Sequence, residues 1–332
     1  MAEAPKLAVV GSETLIGREV RELVAASDLP FDLKLIAEDE SESGKLTESA
    51  GEPALVWGLN VENLQDAAAV FLAGSPESAH RALDLGIGAH LIDLTHAVED
   101  SPRARLRAPR LEPPGYAVPR DAVHVIAHPA SVAIAALFES FQAQYPVRRS
   151  LVHVFEPASE RGSRGIDELQ RQTVGLLSFK SMPKEIFAEQ LSFNLLARYG
   201  EDAPVSLEQV ELRIERDLAT LLSFVPGACP PMPSLRLIQA PVFHGYSFSV
   251  WVEFEDNPGT EALESRLQSA GMDVRGSELD PPHNVGIAGQ GEIAVGAVAL
   301  DRNAPQACWI WMVADNLRLT ADNAVAVARQ LL

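Results

Sequence analysis

Cysteine is nearly absent: 332 residues contain only Cys229 and Cys308, far apart and without metal-ligand spacing. A disulfide framework is excluded, and a reducing cytoplasmic setting is the expectation. Positive charge is also short. Twenty-seven Lys and Arg against 46 Asp and Glu leave a net charge of −19, which repels phosphate backbones and anionic lipid and so argues against nucleic-acid and membrane partners. Long apolar runs are missing too. The longest lies around residues 132–138, far short of the roughly 20 residues needed to span a bilayer. Residues 1–7 carry no apolar segment of the kind a signal peptide needs. No pairing of histidines with carboxylates has the spacing of a metal site, so none is expected.

What is present is alternation. Apolar runs at residues 7–10, 33–36, 69–73, 91–92 and 123–126 read as buried strands, with helical periodicity at 14–26 and 78–85 between them. Strands alternating with helices predict a parallel sheet covered on both faces, an α/β plan. The Pro- and Arg-rich stretch 101–119 reads as a surface loop. From about residue 132 the pattern changes: helices are expected at 132–145, 166–176 and 183–199, and strands at 150–155, 236–242 and 248–254. A last amphipathic helix covers 321–332. A length of 332 residues favours two domains.

Gly11-Ser12-Glu13-Thr14-Leu15-Ile16-Gly17 follows the first strand and opens a helix. Glycines there allow a backbone to approach a pyrophosphate and a helix to pack on a strand, so Gly11 and Gly17 fit a dinucleotide loop. Thr14 stands where a middle glycine would give the closest approach; it either crowds a phosphate or donates to it. Glu38, after the second strand, sits where an acid binds a ribose 2′-hydroxyl. The run Glu38-Asp39-Glu40 would repel a 2′-phosphate, so weak NAD binding is expected, with NADP weaker. An equally weighted reading is a vestigial nucleotide domain with an acidic surface loop.

In this order the chain resembles the aspartate-semialdehyde dehydrogenase family over nearly its whole length. The resemblance rests on residues 11–17 (its GATGxVG loop), 92–97 (IDNSSA), His128-Pro129-Ala130-Ser131 (NPNC), 155–159 (YQAVS), 185–195 (QIAFN), 241–247 (PVxxGHS) and 313–318 with 323–325 (VADNLR…NAV). It implies a Rossmann-like dinucleotide-binding domain over 1–130, to which a C-terminal helix at 314–332 returns. A second α+β semialdehyde-dehydrogenase-type dimerisation domain covers 131–313, so the chain would form a homodimer. It places Asn316 beside the cofactor.

The resemblance also implies chemistry that these residues do not match. The family forms a thiohemiacetal on a cysteine, transfers hydride to NADP and releases the acyl group to phosphate. Its cysteine falls at Ser131, its histidine at Tyr246, its glutamine at Glu156. Two arginines that hold substrate anions fall at Glu99 and Gln239. A retained acid falls at Glu215, and the lysine after it at Leu218. Serine needs an adjacent general base that cysteine does not, and tyrosine is a poor base at neutral pH. The bland readings are a small helix-start residue for Ser131 and a packed ring for Tyr246. His128 or His244 would serve as a base if the register shifted by a residue or two. The leading expectation is an inactive or strongly impaired paralogue, resembling the Usg-type homologues. The runner-up is an active NAD(P)-dependent semialdehyde dehydrogenase or acyl-phosphate reductase, and the third a serine-based acyl transfer at Ser131.

Overall fold

A computed structural model describes residues 4–27 and 31–332; residues 1–3 of the amino-terminal segment read above lie outside it. The chain divides into two compact units, 1–127 with 320–332, and 128–319.

The first unit is an eight-stranded sheet. Its elements are β1 (Lys6–Val10), α1 (Leu15–Ala25), β2 (Asp32–Ile36), β3 (Leu46–Ser49), β4 (Glu52–Trp57), α2 (Val61–Leu64), β5 (Ala69–Leu72), α3 (Pro76–Asp84), β6 (His90–Asp93), β7 (Ala104–Arg107) and β8 (Val123–Ile126). The order is β3-β4-β2-β1-β5-β6-β8-β7. Every pair is parallel except the β3–β4 edge hairpin. Strand side chains alternate between faces, and both faces are covered. Leu7, Val9, Phe71 and Ile92 pack under Val20 and Val24 of α1 and Ala324, Val327 and Ala328 of the last helix. Ala8, Val10, Val70 and Leu72 pack under Ala79 and Ala82 of α3. The strand order reverses at β1, with β2 on one side and β5 on the other, so the loop after β1 lies at the sheet's switch point, where open α/β sheets bind ligands.

The second unit holds α4 (Pro129–Gln142), β9 (Val147–Glu156), α5 (Gly162–Leu177), α6 (Leu207–Leu222), β10 (Ser234–Gln239), β11 (Tyr246–Phe254), α7 (Thr260–Ser269), β12 (Asp273–Arg275), α8 (Asn284–Ile287), β13 (Ala294–Leu300) and β14 (Ala307–Ala314). The helix α9 (Asn316–Leu331) follows, and the boundary between units falls within it. Its sheet runs β10-β9-β11-β14-β13-β12. The central pairs are antiparallel, while β10 joins β9 and β12 joins β13 in parallel. One face buries Val152, Val154, Phe248, Val250 and Val252. The opposite face carries Leu151, His153, Ser249, Trp251, Trp309 and Trp311, all half-buried or exposed. The indole N–H groups of Trp251 and Trp309 both donate to one carboxylate oxygen of Asp301, each at 2.9 Å.

Two sequence expectations are overturned. Residues 183–199 are not helical. Glu168 on α5 takes the backbone N–H groups of Glu185, Ile186 and Phe187, and Gln172 takes those of Leu191 and Ser192. Donors that a helix would direct to its own carbonyls are therefore satisfied from outside. Ala188 and Phe193 also adopt positive φ, 50° and 60°, which interrupts any helical run. Residues 101–119 are not wholly loop. They contain β7, held because Arg107 is buried against Glu112 while the backbone pairs with β8.

Candidate functional site

At the switch point of the first unit the loop 11–17 is tightly determined. Gly11 has φ 78°, and a Cβ there would lie 2.3 Å from the Cα of Gly74. A Cβ on Gly17 would lie 2.1 Å from the carbonyl oxygen of Gly11. Both positions require glycine for packing inside the loop itself. Thr14 is the N-cap of α1: its hydroxyl accepts the N–H of Gly17 at 3.0 Å and faces the carbonyls of Gly11 (2.8 Å) and Ala73 (2.7 Å). Its one proton is thus engaged inside the loop. Glu38 is half-buried near Ser75, and burial, followed by repulsion from Glu42, raises its pKa. Glu99 lies in the turn after β6, half-buried.

The other singled-out residues belong to the second unit, where strand register assembles most of them. The parallel pairing of β9 with β10 sets Glu156 opposite Gln239. The antiparallel pairing of β11 begins one residue later, with Ser247 opposite Phe155, which puts Tyr246 at the same end. Tyr246 in turn pairs with Ala314 at the end of β14, two residues before Asn316. One end of the sheet therefore collects Glu156, Gln239, Tyr246 and Asn316.

Their side chains form a closed network. Glu156 is fully buried and ion-paired with Arg161. Its carboxylate also accepts from the hydroxyls of Tyr199 (3.0 Å) and Tyr246 (3.3 Å). The amide oxygen of Gln239 shares the single Tyr199 hydroxyl proton with Glu156, at 2.6 Å, and its amide donates to the carbonyls of Glu156 (2.8 Å) and Ala240 (3.1 Å). The Asn316 carbonyl accepts from Ser159 and from the backbone of Gly245, both at 3.1 Å, and its amide donates to Glu160 at 2.7 Å. Burial, then repulsion from Glu160 and Glu156, holds Tyr246 well above the ordinary phenol range. Tyr199 is raised by burial and by Glu156. Burial lowers Arg161, but Glu156 outweighs it and the guanidinium is held firmly charged.

Ser131 lies apart from this network. It is fully buried in the first turn of α4, and its hydroxyl donates to the carbonyl of Ile214 on α6 at 2.9 Å. Glu215 is half-buried on α6; the acid that reaches the start of α4 is Asp217, which accepts the backbone N–H of His128 at 2.9 Å. Leu218 is buried in the core. His244 lies half-buried in the loop before β11. His128 caps α4, its Nδ1 accepting the N–H of Ala130 at 3.3 Å.

Sequence reasoning missed Glu160, Arg161, Tyr199 and Asp217. The first two come from the 3₁₀ turn Ala158–Arg161, which follows Pro157 at the end of β9 and swings the chain into α5. Two adjacent charges directly after 155–159 were the available signal. Tyr199 arrives because Leu196 bridges to Gln239 (3.0 and 2.9 Å), a long-range pairing with no local mark. Glu160 is 17% exposed, and burial followed by repulsion from Glu156 pushes it up to about 7. No group of three or more His, Cys, Asp or Glu among the described residues is arranged to hold a metal ion.

Comparison with known proteins converges with this architecture. Residues 140–319 match the family model described as semialdehyde dehydrogenase, dimerisation domain. The chain belongs to this family. A curated USG-1 protein homolog of Pseudomonas aeruginosa is 29% identical over 100% of this chain and 99% of its own length. An aspartate-semialdehyde dehydrogenase of Prochlorococcus marinus is 25% identical over 98% and 95%. The solved structure of a probable aspartate-semialdehyde dehydrogenase from Pseudomonas aeruginosa superposes with a TM-score of 0.84 at 26% identity, over 99% and 98%. The family and its fold, a parallel-sheet Rossmann-like unit with a second sheet domain, are thus those expected from the sequence.

Proposed function

We propose that this chain is a paralogue of the aspartate-semialdehyde dehydrogenases in which the phosphorylating oxidation is lost or strongly impaired, and that it serves through binding or assembly. The observation that carries the reading is Ser131. Where the resemblance puts a cysteine nucleophile, this chain has a fully buried hydroxyl already donating to Ile214. A serine needs a base to become a nucleophile, and the tyrosine at the family's histidine position is held protonated by burial and two carboxylates. The two positions for substrate-binding arginines are filled by Glu99 and by the uncharged Gln239. Arg161 supplies a cation to the network but spends it on Glu156.

The remaining roles follow. The loop of Gly11, Thr14 and Gly17 with Glu38 takes NAD weakly and NADP more weakly, because Glu38, where the fingerprint sets the ribose 2′-hydroxyl, has Glu42, Asp39 and Glu77 close enough to repel it and would repel a 2′-phosphate as well. The half-exposed sheet face bearing Leu151, Trp251 and Trp309 supports a homodimer through the second unit. The test is reduction of NAD or NADP with aspartate semialdehyde and phosphate, followed by absorbance beside an authentic family enzyme. Turnover comparable to the authentic enzyme would overturn the reading.

A further inference from the structure

The carboxyl ends of β1 and β2 carry the glycine loop and Glu38, while their amino ends open onto a separate cavity. Parallel strands covered on both faces are ordinarily apolar throughout. The face that β1 and β2 turn towards α2 departs from this, with Lys6 beside Asp32 and Ala8 beside Lys34. The helix above it, α2, has only four residues, and its one buried side chain, Leu64, joins the cluster of Ala8, Val10 and Ile36. The space beside Lys6, Asp32 and Lys34 is a cavity of about 330 Å³, bounded by Leu55 and Trp57 of β4 and by Asn63 and Asp66. That volume lies in the range of small-molecule sites.

Lysine is rarely buried in a sheet without an ionic partner. Lys34 is half-buried; its Nζ donates to Oδ1 of Asn63 at 3.0 Å and stands 5.1 Å from the centre of the Trp57 ring. Among the described residues neither Lys34 nor Asp32 forms an ion pair, whereas Asp66 meets Lys6 at 3.9 Å. An ammonium has three donors, so Lys34 retains two for a ligand. Asp32 and Lys34 lie two apart on one strand, so their side chains rise from the same face with Cα atoms about 7 Å apart.

We propose that this cavity binds a free apolar or aromatic α-amino acid as its zwitterion, with the carboxylate on Lys34, the ammonium on Asp32 and the side chain against Leu55 and Trp57. The cavity is lined by two ammonium groups and two carboxylates, so a simple anion or a simple cation meets a repelling group along with the attracting one. A zwitterion meets each with its opposite, through charge-assisted hydrogen bonds. The Trp57 indole is 44% exposed, and an apolar side chain laid against it removes that surface from water. A charged side chain would lie there without a partner. The site lies at the opposite end of β1 and β2 from residues 11–17 and shares no residue with the Glu156 network, so it stands or falls apart from the dehydrogenase reading.

The test titrates L-phenylalanine into the full chain, labelled at the indole nitrogens of its four tryptophans, and follows their N–H signals by NMR. Trp57→Phe assigns the Trp57 signal by its loss. L-Phenylalanine should shift that signal saturably at millimolar concentration and leave Trp251, Trp309 and Trp311, all in the second unit, in place. Hydrocinnamate, which lacks the ammonium, and phenethylamine, which lacks the carboxylate, should each bind about tenfold weaker or more. Lys34→Met should weaken L-phenylalanine by about tenfold or more, and so should Asp32→Asn, a change at an exposed position. An unmoved Trp57 signal, either single-charge analogue binding as well as L-phenylalanine, or wild-type affinity in either variant would each overturn the proposal.

Discussion

Replacing Arg161 by methionine removes the cation from a carboxylate that has no access to water. The Glu156 side chain is 0% exposed and that of Arg161 13%. Two opposite charges about 4 Å apart at an effective dielectric near 20 attract by about 4 kcal/mol, and breaking a buried pair from one side costs about 3–5 kcal/mol. The hydroxyls of Tyr199 and Tyr246 would still reach Glu156, which places the expected loss near the lower figure, about 3 kcal/mol. Glu156→Gln added to Arg161→Met removes the stranded charge and keeps an acceptor for Tyr199. The double variant should therefore be more stable than Arg161→Met alone. Urea unfolding followed by tryptophan fluorescence in a Trp57→Phe background reads the second unit, which carries the other three tryptophans, Trp251, Trp309 and Trp311. Single-variant losses that add to within about 0.5 kcal/mol would refute the idea that the pair acts as one buried unit.

Further outcomes concern pH, the loop and α5. Glu160 binds its proton more tightly folded than unfolded, so its contribution to stability is present below its ordinary pKa of 4.5 and is lost as pH rises to about 7; Glu160→Gln should stabilise the chain by about 3 kcal/mol at pH 8 relative to pH 4, and no pH dependence in that difference would contradict it. Thr14→Ala removes the α1 cap and should cost about 1 kcal/mol by denaturant titration, whereas Gly17→Ala, clashing with a backbone oxygen at 2.1 Å, should cost more. Glu168→Leu strands the N–H groups of Glu185, Ile186 and Phe187, each worth about 1–3 kcal/mol, and limited proteolysis should then cut within 183–195. Calorimetric titration should show NAD binding more tightly than NADP, and the reverse order would refute the role given to the acidic run.

Much of the first unit was legible because its central strands are apolar on both faces. Runs such as Leu7-Ala8-Val9-Val10 and Ala69-Val70-Phe71-Leu72 leave no alternative to a covered parallel sheet. β7 was hidden because its sequence, Ala-Arg-Leu-Arg, is a strand only once Arg107 finds Glu112 and the edge of β8. Residues 183–199 misled for the opposite reason. Their periodicity is helical, yet Glu168 and Gln172 capture their N–H groups, and those partners are distant in sequence. On α6 the resemblance marked Glu215, which is half-buried, while the carboxylate that meets the start of α4 is Asp217, two residues and about 200° of helix away. Tyr199 could not be found locally, since its place depends on the bridge from Leu196 to Gln239.

The central claim is that dehydrogenase chemistry is missing as a set and not only at one residue. Residues acting as a unit fail as a unit. Restoring the nucleophile alone should therefore restore nothing, because Tyr246, Glu99 and Gln239 remain. The decisive measurement is phosphate-dependent nucleotide reduction by aspartate semialdehyde with wild type, Ser131→Cys and Ser131→Ala, beside an authentic enzyme. The account predicts background rates for all three variants of this chain. Robust wild-type turnover that disappears in Ser131→Ala, or strong activity in Ser131→Cys, would contradict it.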